Sequence, residues 1–140
     1  MRSSFDLLAG QRRILPALSL LLLAFAGSAA MPVEAAEQKY PDVVGVKAKA
    51  RGPNIFDFDV TVSSPYDSAQ RYADAFRAVG RAGEVFGERK LLHDHASEQP
   101  FTRDLYGVVV PEGVRKVVIQ AKDQKYGYGG KTIEVDLPGR

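Results

Sequence analysis

The chain has 140 residues, with 19 Lys+Arg against 17 Asp+Glu, a formal net charge of +2 and no cysteine. So even a balance, with no basic patch interleaved with aromatics, lacks the electrostatic footprint of a nucleic-acid-binding protein. The lack of cysteine excludes a disulfide framework and a thiol nucleophile.

Arg2, Arg12 and Arg13 precede the apolar run 14–26, and small residues follow. This is the order of a secretory signal peptide, expected over residues 1–36, and the run is short for a bilayer span of about 20 residues. Arg12-Arg13 gives a weaker match to a twin-arginine signal. An uncleaved anchor is the alternative that the short length disfavours. Candidate cleavage points follow Ala29, Ala30, Ala35 and Ala36, with no cysteine beside them for the usual lipid attachment. Cleavage after Ala36 leaves residues 37–140 as one small exported domain, periplasmic or extracellular, without stable membrane insertion.

From there the sequence reads as short strands separated by turns. Val44, Val46, Ala48 and Ala50 alternate with Lys47, Lys49 and Arg51; after Gly52-Pro53-Asn54, Phe56, Phe58, Val60 and Val62 alternate with Asp57, Asp59 and Thr61. Pairing Arg51 with Ile55 sets Lys49 opposite Asp57 and Lys47 opposite Asp59 on the solvent face, where cross-strand attraction explains the charge stripe. Residues 68–79 suit either a helix, with Tyr72, Phe76 and Val79 on one face, or a strand over 71–79 that returns through Gly80-Arg81-Ala82-Gly83. The neighbouring strands favour the strand. Further strands are expected over 84–92, over 101–106, followed by Val108-Val109-Val110 running into a Pro111-Glu112-Gly113 turn, over 114–122 and over 131–137. Residues 123–130 are read as a Gly/Tyr loop. The pattern predicts an all-β, about seven-stranded antiparallel sandwich of immunoglobulin-like or fibronectin-III-like type.

Three segments, Leu92-His93-x-His95-x-x-Glu98-Gln99-Pro100-Phe101-Thr102-Arg103, Val110-Pro111-x-Gly113-Val114 and Gly127-Tyr128-Gly129-Gly130-Lys131, carry a resemblance. From about Tyr66 to the C-terminus the chain resembles a family of small exported bacterial proteins with an immunoglobulin- or fibronectin-III-like sandwich. The resemblance implies a strand over 71–79. It brings no activity, substrate or ligand.

His93 and His95 are the chain's two histidines. In extended backbone a spacing of two puts both rings on one face. With Glu98 they form a candidate zinc or copper site of two imidazoles and a carboxylate. Tyr126 and Tyr128 are candidate walls or ligand contacts, because tyrosines on a glycine-rich loop suit adaptable binding. Arg103 is a further candidate contact. The competing account is structural: the histidines bond loop backbone, Glu98 pairs with Arg103, Phe101 anchors the core, and the glycines shape a turn.

Catalytic patterns are weak. Ser97, the histidines and Asp94 are sequence neighbours with no sign of nucleophile–base–orienter geometry, and Gly127–Gly130 precedes a strand instead of opening a phosphate-binding helix. The sequence thus favours an exported binding or accessory protein with a metal ion or a protein as partner. A small metal-dependent enzyme or redox accessory using the same cluster, and a purely structural interaction module, are the alternatives.

Overall fold

The computed structural model describes residues 37–140; the expected signal peptide, residues 1–36, lies outside the described residues. Among the described residues seven strands follow one another without a helix: β1 (Asp42–Gly52), β2 (Ile55–Ser63), β3 (Ala73–Val79), β4 (Val85–Lys90), β5 (Phe101–Val109), β6 (Lys116–Asp123) and β7 (Gly127–Asp136). They form two antiparallel sheets, one ordered β1-β2-β5 and the other β4-β3-β6-β7. The chain is therefore an all-β sandwich, as its alternation predicts. No helix among the described residues is long and apolar enough to cross a membrane.

The alternation decides which side chains fill the space between the sheets. Phe56, Phe58, Val60 and Val62 of β2 face Ala73, Phe76 and Ala78 of β3 and Val117, Ile119 and Ala121 of β6 in one buried cluster with Phe101. Burying a side chain of this size contributes about 1.5–3 kcal/mol, the main term holding the sheets together.

The register of β1 on β2 follows the charge pattern, with Lys49 opposite Asp57 and Lys47 opposite Asp59. Two details differ from expectation. Ile55 pairs with Gly52 instead of Arg51, across a register shift beside Ala50. A second shift between Val43 and Gly45 inverts the parity, so Val43 is 2% exposed and Val44 is 50% exposed. The expected break in β5 is a bulge: Phe56 pairs with Val108 and Phe58 with Leu105. Gly107 turns there at φ 68°, and its N–H donates to Asp57 Oδ1 at 2.8 Å.

Residues 127–130 are strand, contrary to the loop reading. Lys122 pairs with Tyr128 and Asp123 with Gly127, so β7 begins four residues early. The turn closes tightly because Asp123 Oδ2 accepts the N–H groups of Lys125 and Tyr126, both at 2.8 Å.

Side chains staple the sheets where their edges approach. The Lys131 N–H on β7 donates to Asp42 Oδ1 on β1 at 2.8 Å. Arg89 Nη1 on β4 donates to Asp104 on β5, to its carbonyl at 2.9 Å and its Oδ1 at 2.6 Å. The second staple fixes the end of β4 against the start of β5, the frame that carries the histidines.

Candidate functional site

Residues 91–100 bridge the two sheets between Lys90 and Phe101. The segment is irregular, yet buried polar groups fix it from below. Asp67 is buried; its Oδ1 accepts the Ala73 N–H at 3.0 Å and its Oδ2 the His95 N–H at 3.1 Å. The His95 carbonyl accepts from the Glu98 N–H at 3.0 Å and from Gln99 Nε2 at 3.1 Å. Gln99 Oε1 accepts the N–H of buried Ser64 at 2.7 Å. Asp94 Oδ2 closes the outer turn by accepting the Ala96 N–H at 3.2 Å. Leaving such buried amides unpaired would cost about 1–3 kcal/mol each, so the network holds the segment in one shape.

On this base the histidines take different roles. His93 is exposed, and its Nδ1–H donates to the Asp94 carbonyl at 2.8 Å, leaving Nε2 with a free lone pair. His95 is 5% exposed. Its ring stacks on Phe101, with centroids 3.9 Å apart and planes 12° from parallel, and lies 4.9 Å from the His93 ring. His95 Nδ1 is buried without a hydrogen-bond partner among the described residues. An unpaired lone pair in a dry place is tolerated better than an unpaired N–H, which puts the proton on Nε2. Burial, then the charges of Arg103 and His93, hold the ring's pKa below its ordinary value, outweighing the opposite pull of Asp67 and Glu98.

Glu98 does not join the imidazoles. Its two oxygens sit in the guanidinium fork of Arg103, at 3.3 and 2.9 Å. The hydrogen bond from Arg103 holds the Glu98 carboxyl below its ordinary pKa. Among the described residues no three His, Cys, Asp or Glu side chains are grouped to hold a metal ion. The structure therefore assembles two members of the expected trio and diverts the third, as the structural account anticipates for Glu98 and Arg103. The physical reason is that Arg103 offers parallel N–H donors that match a carboxylate better than the edge of a neutral ring does.

The two tyrosines face other partners. Tyr126 packs its ring on the Arg71 guanidinium at 4.8 Å and edge-on to Tyr40 at 6.3 Å. Tyr128 lies under Arg77 at 3.6 Å, and its hydroxyl donates to Glu88 at 2.6 Å. Neither forms a wall for the histidines. Arg71 and Tyr66 belong to a second network around Asp123, which is 0% exposed: it accepts from Tyr66 at 2.6 Å and pairs with Arg71 Nε at 3.2 Å.

A cavity of 170 Å³ opens beside the histidines, lined by Arg89, Lys90, Leu91, Leu92, His93, His95 and Arg103. Three strong bases line it and no acid does. Sequence reasoning singled out Arg103 but missed Arg89, Lys90 and Asp67. The run Glu88-Arg89-Lys90, separated from His93 by Leu91 and Leu92, was the available signal for the two bases. Leu92 at the rim is 85% exposed. Two larger clefts, of 440 and 700 Å³, lie at the opposite end of the sandwich and contain no histidine.

A protein of Halomicrobium mukohataei named "Putative lipoprotein" is 40% identical over 95 residues. Those residues are 68% of this chain and 46% of the relative, so the chain spans less than half of that protein's length. No family model matches the chain. No solved structure matches it.

Proposed function

We propose that this chain is an exported β-sandwich binding module of the cell envelope, and that its working end is the segment from Lys90 to Arg103. One observation carries the reading: buried Asp67 and half-buried Gln99 are used to rigidify a loop that presents an exposed leucine, an exposed histidine and a base-lined cavity. Sites that must bind without reorganising are built in this way, on residues locked by a supporting layer of hydrogen bonds. The signal-like residues 1–36 and the relative's name support the export half of the reading. The 140 residues contain no cysteine, so lipid attachment through that residue does not carry over to them. The order β1-β2-β5 against β4-β3-β6-β7 supports a fibronectin-III-like type, in line with the family that the His-x-His and Gly-Tyr-Gly-Gly segments resemble.

Zinc or copper is the less favoured ligand. A dication held by His93 and His95 gains no carboxylate while Glu98 stays in the Arg103 fork, and the lining guanidinium and ammonium groups oppose it. Calorimetric titration with zinc(II) and copper(II) tests this. The reading expects no one-to-one site near 1 μM, about −8 kcal/mol. Such a site, lost in His93→Ala, would restore the metal. Fractionation of cells making the full chain tests export: the product belongs outside the cytoplasm, and retention inside contradicts the proposal.

A further inference from the structure

The cavity beside His95 combines three features that no ordinary strand end requires. The first is unspent donor capacity. Arg103 has five N–H donors and uses three, two on Glu98 and one on the Thr102 carbonyl. Arg89 uses two, both on Asp104. Lys90 makes no ion pair with any described residue. The second is the fixed polarity of His95. With Nδ1 sealed, Nε2 is the ring nitrogen left to meet a ligand, and it does so as a donor. The third is size. At roughly 30 Å³ per water, 170 Å³ accepts one small ion with a few waters, well below the roughly 300–1,000 Å³ of a drug-sized pocket.

We infer that this cavity binds a single small oxyanion, a carboxylate or sulfate-sized group, between Lys90, Arg103 and the Nε2–H of His95. The inference rests on the reading that the Lys90–Arg103 end is the working end, and it names the ligand chemistry of that end. Charged donors around an oxyanion give short, strong hydrogen bonds, and a guanidinium matches two oxygens at once. Leu91 and Leu92 supply an apolar wall for the part of the ligand that carries the anion. Glu98 competes with the ligand for Arg103 and tunes its affinity. Acids near His95, Asp67 and Glu98, are both engaged, on backbone N–H groups and on Arg103 respectively.

The test is a titration of the ¹⁵N-labelled protein with sodium acetate and, separately, sodium sulfate, at constant ionic strength against sodium chloride. The readouts are the imidazole signals of His95 and the amides of residues 90–95. Saturable shifts there, with affinity reduced about tenfold in Lys90→Gln, the loss of one charge-assisted bond, are the expected result. Acetate saturating without sulfate assigns a carboxylate, and the reverse assigns a tetrahedral anion. His95→Phe, which keeps the stack on Phe101, should abolish the Nε2-dependent share; Lys90→Gln carries the test if that variant does not fold. Shifts that stay linear, or saturation unchanged in both variants, overturn the proposal. Zinc chloride saturating the same signals while both anions fail overturns the oxyanion and leaves the end as a ligand site. No response to any probe overturns both.

Discussion

Asp67 accepts the backbone N–H of His95 with one carboxylate oxygen at 3.1 Å and that of Ala73 with the other at 3.0 Å. One buried side chain thus ties the start of β3 to the histidine loop, whose His95 lies 28 residues beyond Asp67. Replacing it by alanine strands two buried donors. Asp67→Ala should lower stability by about 2–4 kcal/mol, and Asp67→Asn by less. Urea denaturation measures both. A change near zero would show that the loop is held without this bond.

The sealed His95 makes the fold sensitive to mild acid. Its folded pKa lies below the ordinary 6.5, so the unfolded chain binds the proton more readily than the folded one. The neutral ring's contribution is complete above 6.5 and is lost as the pH falls from there through the folded value. Urea midpoints should fall between about pH 7.5 and about pH 5, and His95→Phe should flatten that slope. A slope identical in the variant contradicts the assignment.

Asp123 sets a second, lower window. Burial alone would raise its pKa, but hydrogen bonds from Tyr66, the amides of Tyr126 and Lys125, and Arg71 outweigh burial and hold it below the ordinary 3.8. The stabilisation is present above 3.8 and is lost as the pH falls below that value through the folded pKa. At neutral pH, Asp123→Ala removes the acceptor of the Arg71 Nε–H, the Tyr66 hydroxyl and two turn amides and should cost about 3–5 kcal/mol. Thermal melts read this directly, and a loss no larger than that of an exposed aspartate would contradict it.

Gly130 turns at φ 76° where β7 meets β1, and an added Cβ would run into the Pro41 carbonyl oxygen and Asp42. Backbone cannot yield as a flexible side chain can. Gly130→Ala should destabilise the protein by at least about 2 kcal/mol, whereas Gly139→Ala, at φ 80° in open space, should cost only its backbone strain. Comparing the two variants by denaturation separates crowding from strain; equal losses would contradict the close approach.

The Glu98–Arg103 pair lies at the surface, so breaking it should change stability little. Its effect should appear in binding instead. Glu98→Gln releases Arg103 from its competitor and should strengthen acetate or sulfate binding in the same titration. Weaker binding in this variant would mean that the pair organises the cavity and does not compete for it.

The sheets were legible in the sequence because alternation is local. Phe56, Phe58, Val60 and Val62 declare an inward face, and the Lys47–Asp59 and Lys49–Asp57 pairs set the β1–β2 register. The Val43–Gly45 shift was not legible, since a bulge reverses parity without changing composition. Gly127–Gly130 read as a loop because glycine is permissive; its strand character depends on pairing with β6 and on room for Tyr40 and Pro41. At the histidines, residue types suggested a trio of ligands. Which of them converge was decided by two partners: Arg103, five residues on and readable as the competitor for Glu98, and Asp67 beneath His95, a long-range contact that spacing along the chain does not reveal.

The most direct measurement is the ¹⁵N spectrum of the two imidazoles followed through a pH titration of the folded protein. The account predicts that His95 is neutral at pH 7 with its proton on Nε2 and titrates below 6.5. A proton on Nδ1 would show that the buried nitrogen is paired after all and would remove the donor on which the ligand site depends; a midpoint at or above 6.5 would contradict the burial of the ring.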